Sequence, residues 1–380
     1  MIMKNLSRRQ YIKTTCAAGG CLLAAPLMQK FLTSNARAQS SGLEDKTEAR
    51  YYQKLDNRKI KCQLCPRECV IDDLERGYCG VRENEGGVYY TLVYGKACSA
   101  HVDPVEKKPM FHFFPGSLAF SYATAGCNVM CKFCQNWEIS QSRPEQIESL
   151  DLPPQKIVTL ARHNHCVSIA YTYNEPVVFT EYLYDTAVAG RKPGVKSIMI
   201  SNGYIQKQPM SDLCQVLDAV KIDLKAFSER FYTELVAGHL RPVLDTLVLL
   251  RKKNMWTEIV YLVIPGQNDD RRELKEMCKW IVTELGPDVP VHFSRFHPQY
   301  RLTNLPATPL ETLKTARQIG LDNGLHYVYT GNIPGDPGEN TYCPGCGAVL
   351  VRRIGFRILE NKISDSKCPT CNYKIAGIWK

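Results

Sequence analysis

The sequence lacks the features of several protein classes. Its 380 residues contain no apolar run of the roughly 20 residues that a membrane-spanning helix requires. Apolar residues make up 44% and charged residues 23%, which excludes a disordered tail, a fibrous repeat and a polytopic membrane protein. Acidic residues are absent from positions 1–38, which hold six basic side chains. The other residues are nearly balanced, 42 basic against 38 acidic, so we expect no nucleic-acid binding.

The amino terminus resembles a twin-arginine export signal covering residues 1–38. Arg8 and Arg9 lie in a basic stretch, an Ala-rich apolar run follows, and Ala36 to Ala38 supply small residues at cleavage spacing. We therefore expect export to the periplasm or to a membrane surface, with no transmembrane segment in the mature chain. The alternative is a cytoplasmic protein in which the signal is unused.

From about residue 118 the sequence alternates β-branched or aromatic runs with helical patterns, which favours right-handed crossovers and a parallel sheet. The predicted strands are 118–124, 167–172, 195–201, 219–224, 258–263, 291–296 and 327–330. Unusual residues follow these strands at their carboxyl ends, which in a barrel form one face. We therefore predict an α/β fold, a partial (β/α)6 barrel over 116–335, rather than an open doubly wound sheet. A Cys-rich segment (39–115) precedes it, and a zinc-ribbon or rubredoxin-like module (336–380) follows.

Two helix starts can be predicted from local signals. Asp269 and Asp270 precede an apolar stripe that ends at Gly286, which predicts a capped helix. Thr308 and Glu311 have the spacing of a capping box, with Pro309 at the first helical position.

Cysteine is abundant, with seventeen residues, and an odd number in a long chain argues against a disulfide scaffold. Cys127, Cys131 and Cys134 share one loop after the first predicted barrel strand. A four-iron cluster usually takes four cysteines, so three would leave one iron open to a small molecule. A structural zinc site with a fourth cysteine from elsewhere is the alternative.

Two further groups contain four cysteines each. The first spans eighteen residues and could hold zinc or a second iron–sulfur cluster, or consist of free or oxidised thiols; it comprises Cys62, Cys65, Cys69 and Cys79. The second has two CxxC turns, which favour a tetrahedral zinc or, as in rubredoxin, iron site; it comprises Cys343, Cys346, Cys368 and Cys371. Four cysteines after the signal segment belong to none of these groups, and we expect most of them to be packing residues: Cys98, Cys166, Cys214 and Cys278.

The three-cysteine spacing, with Phe133 before the last cysteine, resembles the radical S-adenosylmethionine superfamily. There the amino and carboxylate groups of S-adenosylmethionine chelate the open iron of a 4Fe-4S cluster, and one electron releases a 5′-deoxyadenosyl radical. The segments 79–82, 103–116, 126–140, 173–176, 264–266 and 329–335 together resemble the radical SAM enzyme of the AmmeMemoRadiSam system. That family is related to pyruvate formate-lyase activating enzymes, and the resemblance covers about residues 60–380.

The resemblance also implies which residues contact S-adenosylmethionine. The segment 173–176 reads Tyr-Asn-Glu-Pro where superfamily members often have Gly-Gly-Glu-Pro, so the glycines are absent but the carboxylate is kept. A carboxylate beside the ligand's amino group would form a charge-assisted hydrogen bond. The implied contact residues are Phe133, Asn174, Glu175, Ser201, Asn202, Asp223, Lys225 and His297.

The leading hypothesis is therefore an enzyme that cleaves S-adenosylmethionine reductively and abstracts hydrogen from an unidentified substrate, a protein being one option. A glycyl-radical enzyme activase and an exported, non-catalytic iron–sulfur or metal-binding protein are the alternatives. The resemblance implies Memo-like and AMMECR1-like partners and an electron donor of the flavodoxin or ferredoxin type. The export signal departs from this picture, because S-adenosylmethionine and low-potential donors are normally cytosolic.

Overall fold

A computed structural model of the protein describes residues 46–380, so the predicted signal at 1–38 lies outside the described residues. The Cys-rich segment folds into short strands that form two antiparallel sheets, in the orders β1-β6-β5 and β2-β3-β4. The strands of these two sheets are β1 (Thr47–Glu48), β2 (Tyr52–Lys54), β3 (Ile60–Cys62), β4 (Val70–Ile71), β5 (Arg82–Glu85) and β6 (Val88–Thr91), and a further short strand, β7 (Lys96–Ala97), follows them.

The centre of the fold is an eight-stranded sheet in the order β16-β15-β14-β13-β12-β11-β9-β8. Its strands are β8 (Ser99–Pro104), β9 (Leu118–Ala123), β11 (Ser168–Tyr171), β12 (Lys196–Ser201), β13 (Ala219–Asp223), β14 (Trp256–Val263), β15 (Val291–Arg295) and β16 (Val328–Gly331). Strands β9 to β16 of this sheet pair in parallel, and β8 pairs antiparallel with β9. Outside the sheet, β10 (Leu150–Asp151) pairs with β7.

The predicted strands agree with the observed ones to within two residues at each end. The reason is physical: strands that are buried on both faces are nearly continuous apolar runs, as in β11 and β12. The antiparallel edge strand β8 was not predicted. The α/β class and the parallel sheet are confirmed, whereas closure into a partial barrel and the domain boundaries stay predictions.

Helices connect the parallel strands. They are α1 (Trp137–Ser140), α2 (Pro154–His163), α3 (Thr180–Arg191), α4 (Lys207–Leu213), α5 (Glu229–Phe231), α6 (Leu240–Lys252), α7 (Arg271–Glu284) and α8 (Leu310–Asp322), with a π-helical turn at Tyr232–Val236. Short 3-10 turns lie at Asp56–Arg58, Val105–Lys107, Pro144–Gln146, Pro176–Phe179 and Pro337–Glu339.

One of the two predicted helix starts is confirmed. The Asp270 side chain accepts hydrogen bonds from the backbone N–H groups of Arg272 and Glu273 and caps α7. The capping box at Thr308 is wrong, because α8 begins at Leu310 without a side-chain cap. The Thr308 hydroxyl instead bonds the backbone of Val263 and Phe296, so it joins the ends of two sheet strands.

The carboxyl-terminal part forms a three-stranded antiparallel sheet in the order β17-β18-β19. Its strands are β17 (Thr341–Tyr342), β18 (Val349–Ile354) and β19 (Arg357–Asn361). Buried side chains of this part pack with Phe111, Tyr327 and Tyr329 in one apolar cluster. The C-terminal part is therefore joined to the central sheet by a shared core.

Within residues 46–380, no helix combines the length and the apolar character that crossing a membrane requires.

Candidate functional site

The three-cysteine loop begins four residues after β9 ends at Ala123, at the carboxyl edge of the parallel sheet. Backbone bonds hold it in place: the N–H groups of Met130 and Lys132 donate to the carbonyls of Val236 and Leu235, at 2.9 and 2.8 Å. The loop therefore rests against the π-helical turn, so its shape depends on a segment that is distant in sequence.

Burial dominates the electrostatics of the three thiols. It raises the pKa of Cys127 well above the usual value, and the nearby Glu175 carboxylate raises this pKa further. Burial also raises the pKa of Cys131 to about 12, although the Lys225 ammonium offsets part of that rise. The thiol of Cys134 lies 3.1 Å from the Ser140 hydroxyl. Glu175 and Lys225 follow different strands, so three strand ends converge on this loop.

Asn174 and Glu175 lie directly after β11 and connect this strand end to its neighbours. The Asn174 side-chain N–H donates to the Gly126 carbonyl at 2.8 Å, next to Cys127, whereas its Oδ1 is buried without a hydrogen-bond partner. Glu175 is 2% exposed and accepts hydrogen bonds from the Ser201 hydroxyl at 2.7 Å and from the Asn202 N–H at 2.8 Å. Burial raises the pKa of Glu175 to about 7.

Asp223 is the last residue of β13 and lies between two lysines. It accepts a hydrogen bond from Lys225 Nζ at 2.9 Å and another from Lys221 Nζ. Burial alone would raise the pKa of Asp223, but the two ammonium groups outweigh burial and lower this pKa to about 2. The Asp223 carboxylate therefore stays ionised at neutral pH beside the three-cysteine loop.

The other predicted contact residues lie in different surroundings. Ser201 and Asn202 are buried, and the Asn202 amide donates to Asn128 Oδ1 at 2.9 Å. The Phe133 side chain is buried against Phe231, with ring centroids 5.7 Å apart. His297 follows β15 and is exposed. The structure thus brings Asn174, Glu175 and the Asp223 group close to the loop and leaves His297 at the surface.

Sequence reasoning missed a polar cluster at the end of β8 and in the turn that follows it. Asp103 accepts hydrogen bonds from Lys107 at 2.7 Å, from Lys108 at 2.6 Å and from the Tyr173 hydroxyl. Lys108 is 3% exposed, and burial lowers its pKa to about 8. Its ammonium also lies 4.2 Å from the centre of the Tyr173 ring. The sequence contained a signal for this cluster, because Asp103, Lys107 and Lys108 all lie in the first six residues of the segment 103–116, which the family resemblance includes.

The first four-cysteine group lines one cavity. This cavity is also lined by Arg82, Tyr89 and Asn128. All four thiols are free, with no disulfide among them: Cys62, Cys65, Cys69 and Cys79. These four cysteines therefore lie around one cavity, and their binding of a metal or cluster stays a prediction.

The second four-cysteine group has the geometry of a single-ion site. Its four sulfurs all lie within 4.8 Å of one another, with Cys343 and Cys371 3.5 Å apart and Cys346 and Cys368 3.8 Å apart. A tetrahedral zinc ion with bonds of about 2.3 Å would separate its sulfurs by about 3.8 Å. The group is therefore suited to bind a metal ion.

Both CxxC turns of that group have the same backbone pattern. The residue four positions after the first cysteine of each turn donates its N–H to that cysteine's carbonyl, at 2.9 Å in both Gly347 and Asn372. Gly347 and Asn372 both have positive φ angles, 74° and 63°. Glycine and asparagine are the residues that adopt this conformation most easily, which explains their positions in the turns.

Comparisons with known proteins identify the family. The profile of the radical SAM superfamily matches residues 121–281. An uncharacterized protein of Methanocaldococcus jannaschii is 46% identical over 330 residues, which cover 86% of this chain and 98% of that protein. The pyruvate formate-lyase 1-activating enzyme of Escherichia coli is 28% identical over 38% of this chain and 61% of that enzyme. A radical SAM methyltransferase structure from Sphaerobacter thermophilus aligns with 15% identity and a TM-score of 0.48, over 87% of this chain and 89% of its own.

The chain belongs to the radical SAM superfamily, and it is an enzyme that uses S-adenosylmethionine. Membership implies a 4Fe-4S cluster and S-adenosylmethionine as cofactors. The predicted superfamily, its relation to the activating enzymes and the enzymatic class are confirmed, whereas the narrower AmmeMemoRadiSam assignment stays a prediction.

Proposed function

We propose that Cys127, Cys131 and Cys134 hold a 4Fe-4S cluster at which S-adenosylmethionine is cleaved reductively, to abstract hydrogen from a second substrate. One observation carries this proposal. The three thiols lie at the carboxyl edge of the parallel sheet, between the Glu175 carboxylate of one strand end and the Lys225 ammonium of another.

The donor set suits such a cluster. Without a metal, burial keeps the thiols of Cys127 and Cys131 protonated, since it raises the pKa values of both. Iron binding would remove the thiol protons, because a coordinating thiol is deprotonated outright. The Lys225 ammonium next to Cys131 would then stabilise the thiolate charge. Only three cysteines lie on this loop, which would leave one iron open for the cosubstrate.

Asn174 and Glu175 are the groups we assign to the amino group of S-adenosylmethionine. The buried Oδ1 atom of Asn174 lacks a partner, and a buried acceptor without a donor costs free energy. An amino group placed beside the loop would supply that donor. Glu175 Oε1 already accepts two hydrogen bonds, from the Val177 N–H and the Ser201 hydroxyl, whereas Oε2 accepts one, from the Asn202 N–H, and keeps capacity for another. Its other task is to hold the backbone after β12.

The Asp223 group is assigned to orienting the same cosubstrate. Asp223 pairs with the Lys225 ammonium at 2.9 Å, and both side chains are half-buried. A fixed pair of opposite charges can orient the carboxylate and hydroxyl groups of the ligand without reorganising during the reaction. Phe133, Ser201, Asn202 and His297 complete the proposed contact set.

Anaerobic reconstitution with iron and sulfide tests this function. With dithionite as reductant, the protein should convert S-adenosylmethionine into methionine and 5′-deoxyadenosine. Cys131→Ala should lose the iron at the three-cysteine loop and, with it, this activity, since only two thiolates would remain there to hold the cluster. Cys166→Ala, which changes a buried thiol outside the three groups, is the matched control. A well-formed cluster that yields no 5′-deoxyadenosine would overturn the proposal.

Glycyl-radical activation is a second candidate, favoured by the 28% identity to the activating enzyme of Escherichia coli. In this case the second substrate is a protein backbone glycine. Mixing the reduced enzyme with S-adenosylmethionine and pyruvate formate-lyase should produce a glycyl-radical signal in electron paramagnetic resonance. Cleavage without that signal would favour a different second substrate.

The finer assignments belong to the same proposal. We propose membership in the AmmeMemoRadiSam system, with Memo-like and AMMECR1-like partners and a flavodoxin or ferredoxin as donor. Zinc is proposed ahead of iron for the carboxyl-terminal group because zinc favours four tetrahedral thiolates. Export through the predicted signal can be tested by fractionation of the tagged full-length protein.

A further inference from the structure

The amino-terminal four-cysteine group surrounds a space instead of a point. Its thiols come from the end of β3, from the loop before β4 and from the segment before β5, and all four line the same cavity. Within residues 46–380, the carboxyl-terminal group is the only one whose ligand atoms converge closely enough for a single ion. The amino-terminal sulfurs would therefore have to be joined by a larger body than one ion.

Arg82 supplies a second, independent observation. It lines the same cavity and is 1% exposed, and its Nη2 is paired with Glu181. Its Nε and Nη1 atoms are buried without any hydrogen-bond partner. Buried arginine donors are costly to leave unpaired, so their position in a cavity of thiols points to an anionic occupant.

We propose that Cys62, Cys65, Cys69 and Cys79 hold a second iron–sulfur cluster. Clusters of this kind are ligated by four cysteine thiolates. In a four-iron cluster each thiolate binds a different iron atom, so the ligand sulfurs lie further apart than they do around a single ion. Their sulfurs accept hydrogen bonds, which is what the two free N–H groups of Arg82 require. A single zinc ion would satisfy neither the spacing nor the arginine.

The second cluster would lie against the barrel loop. A Cβ atom at Gly126 would be 2.8 Å from the Cys79 carbonyl oxygen, so the segments that carry Cys79 and Cys127 are in direct contact. Arg67, another cavity residue, donates from Nε to the Asn128 carbonyl at 2.6 Å. The chain segments that carry the two cysteine groups are therefore in direct contact with each other.

The role that follows is electron transfer, and this step rests on the proposed function. Four cysteine ligands leave no position open for a substrate, so the second cluster would only gain and lose an electron. A reduced flavodoxin or ferredoxin would give one electron to it, and the same electron would pass to the barrel site. The donor is oxidised, the barrel site is reduced, and no bond or proton changes place.

Metal analysis of the anaerobically purified wild-type protein tests the cluster without any variant. We expect iron clearly above the about four atoms of one 4Fe-4S cluster, and no more than about one zinc. Mössbauer spectra should contain signals of two clusters. Iron near four with about two zinc ions per chain would overturn the proposal.

A double variant locates the additional iron. Cys65→Ala with Cys69→Ala removes two of the four proposed ligands and should remove only the excess iron. Cys214→Ala, a half-buried thiol outside all three groups, is the matched control and should keep the full content. Loss of zinc from the double variant, with iron unchanged, would contradict the cluster.

Two reductants separate the relay from the cleavage reaction. With dithionite, which reduces the cluster on the three-cysteine loop directly, the double variant should still form 5′-deoxyadenosine. With reduced flavodoxin, the double variant should form it at least about tenfold more slowly than wild type does. Equal rates with flavodoxin would refute the relay. Absence of product from wild type with both reductants would instead refute the proposed function, and the metal analysis would still stand.

Discussion

Gly126 is the position where a single methyl group should separate the two cysteine groups. Its φ is +89°, and a Cβ atom there would lie 2.5 Å from Val81 Cγ1 and 2.8 Å from the Cys79 carbonyl oxygen. The left-handed backbone costs an alanine about 1–2 kcal/mol. Overpacking typically adds about 1–3 kcal/mol. Gly126→Ala should therefore lower the free energy of unfolding by about 2–5 kcal/mol.

Gly266→Ala is the matched control for this substitution. Gly266 has a φ of +70°, but nothing lies within 4 Å of its Cβ position, so only the backbone cost applies. Denaturant unfolding should show a clearly smaller loss for this variant, and iron content should be normal. Gly126→Ala should also load less iron, because the loop at Cys127 must shift. Equal losses for the two variants, with equal iron content, would refute the contact argument.

Three further predictions follow from the site. Asp223→Asn removes the carboxylate that pairs with the Lys221 and Lys225 ammonium groups and should cost about 3–5 kcal/mol at neutral pH. Because these ion pairs lower the pKa of Asp223 to about 2, wild type should lose this advantage as the pH falls from about 4 towards 2. Glu175→Ala leaves three buried donors without their acceptor, the N–H groups of Val177 and Asn202 and the Ser201 hydroxyl, and should cost at least about 3 kcal/mol. Unchanged S-adenosylmethionine affinity in calorimetry would remove Glu175 from the binding site. Cys368→Ser should release the carboxyl-terminal metal and speed amide exchange in residues 336–380, and unchanged metal content would contradict the ligand assignment.

The sheet could be predicted because its signals are local. Strands buried on both faces are apolar runs of limited length, and the chemistry follows their carboxyl ends. The same logic placed Glu175 and Lys225 beside the cysteine loop, although they are 50 residues apart in the sequence. The parallel order of the strands explains this agreement, since the carboxyl ends of parallel strands all lie at the same edge of the sheet.

The remaining features depend on contacts that a sequence pattern does not contain. Arg82 pairs with Glu181 across 99 residues, and neither residue stands in a motif that suggests the pairing. Thr308 shows the opposite failure, because its local pattern predicts a cap while its hydroxyl bonds Val263 and Phe296. In both cases tertiary packing decides which partner a polar side chain finds.

The three cysteine groups differ in the arrangement of their sulfur atoms, and we argue that this arrangement, more than the number of thiols, decides what each group can bind. Four sulfurs within 4.8 Å can share one ion, and two of them, Cys346 and Cys371, are exposed. Such a site can stabilise a small sheet, but a zinc ion there could not carry an electron. Four sulfurs around a cavity with a buried arginine suit a redox cluster, and three on an adjoining loop leave a position for a ligand. In the proposed assignment, the two redox groups lie next to each other, and the structural group lies in the carboxyl-terminal part.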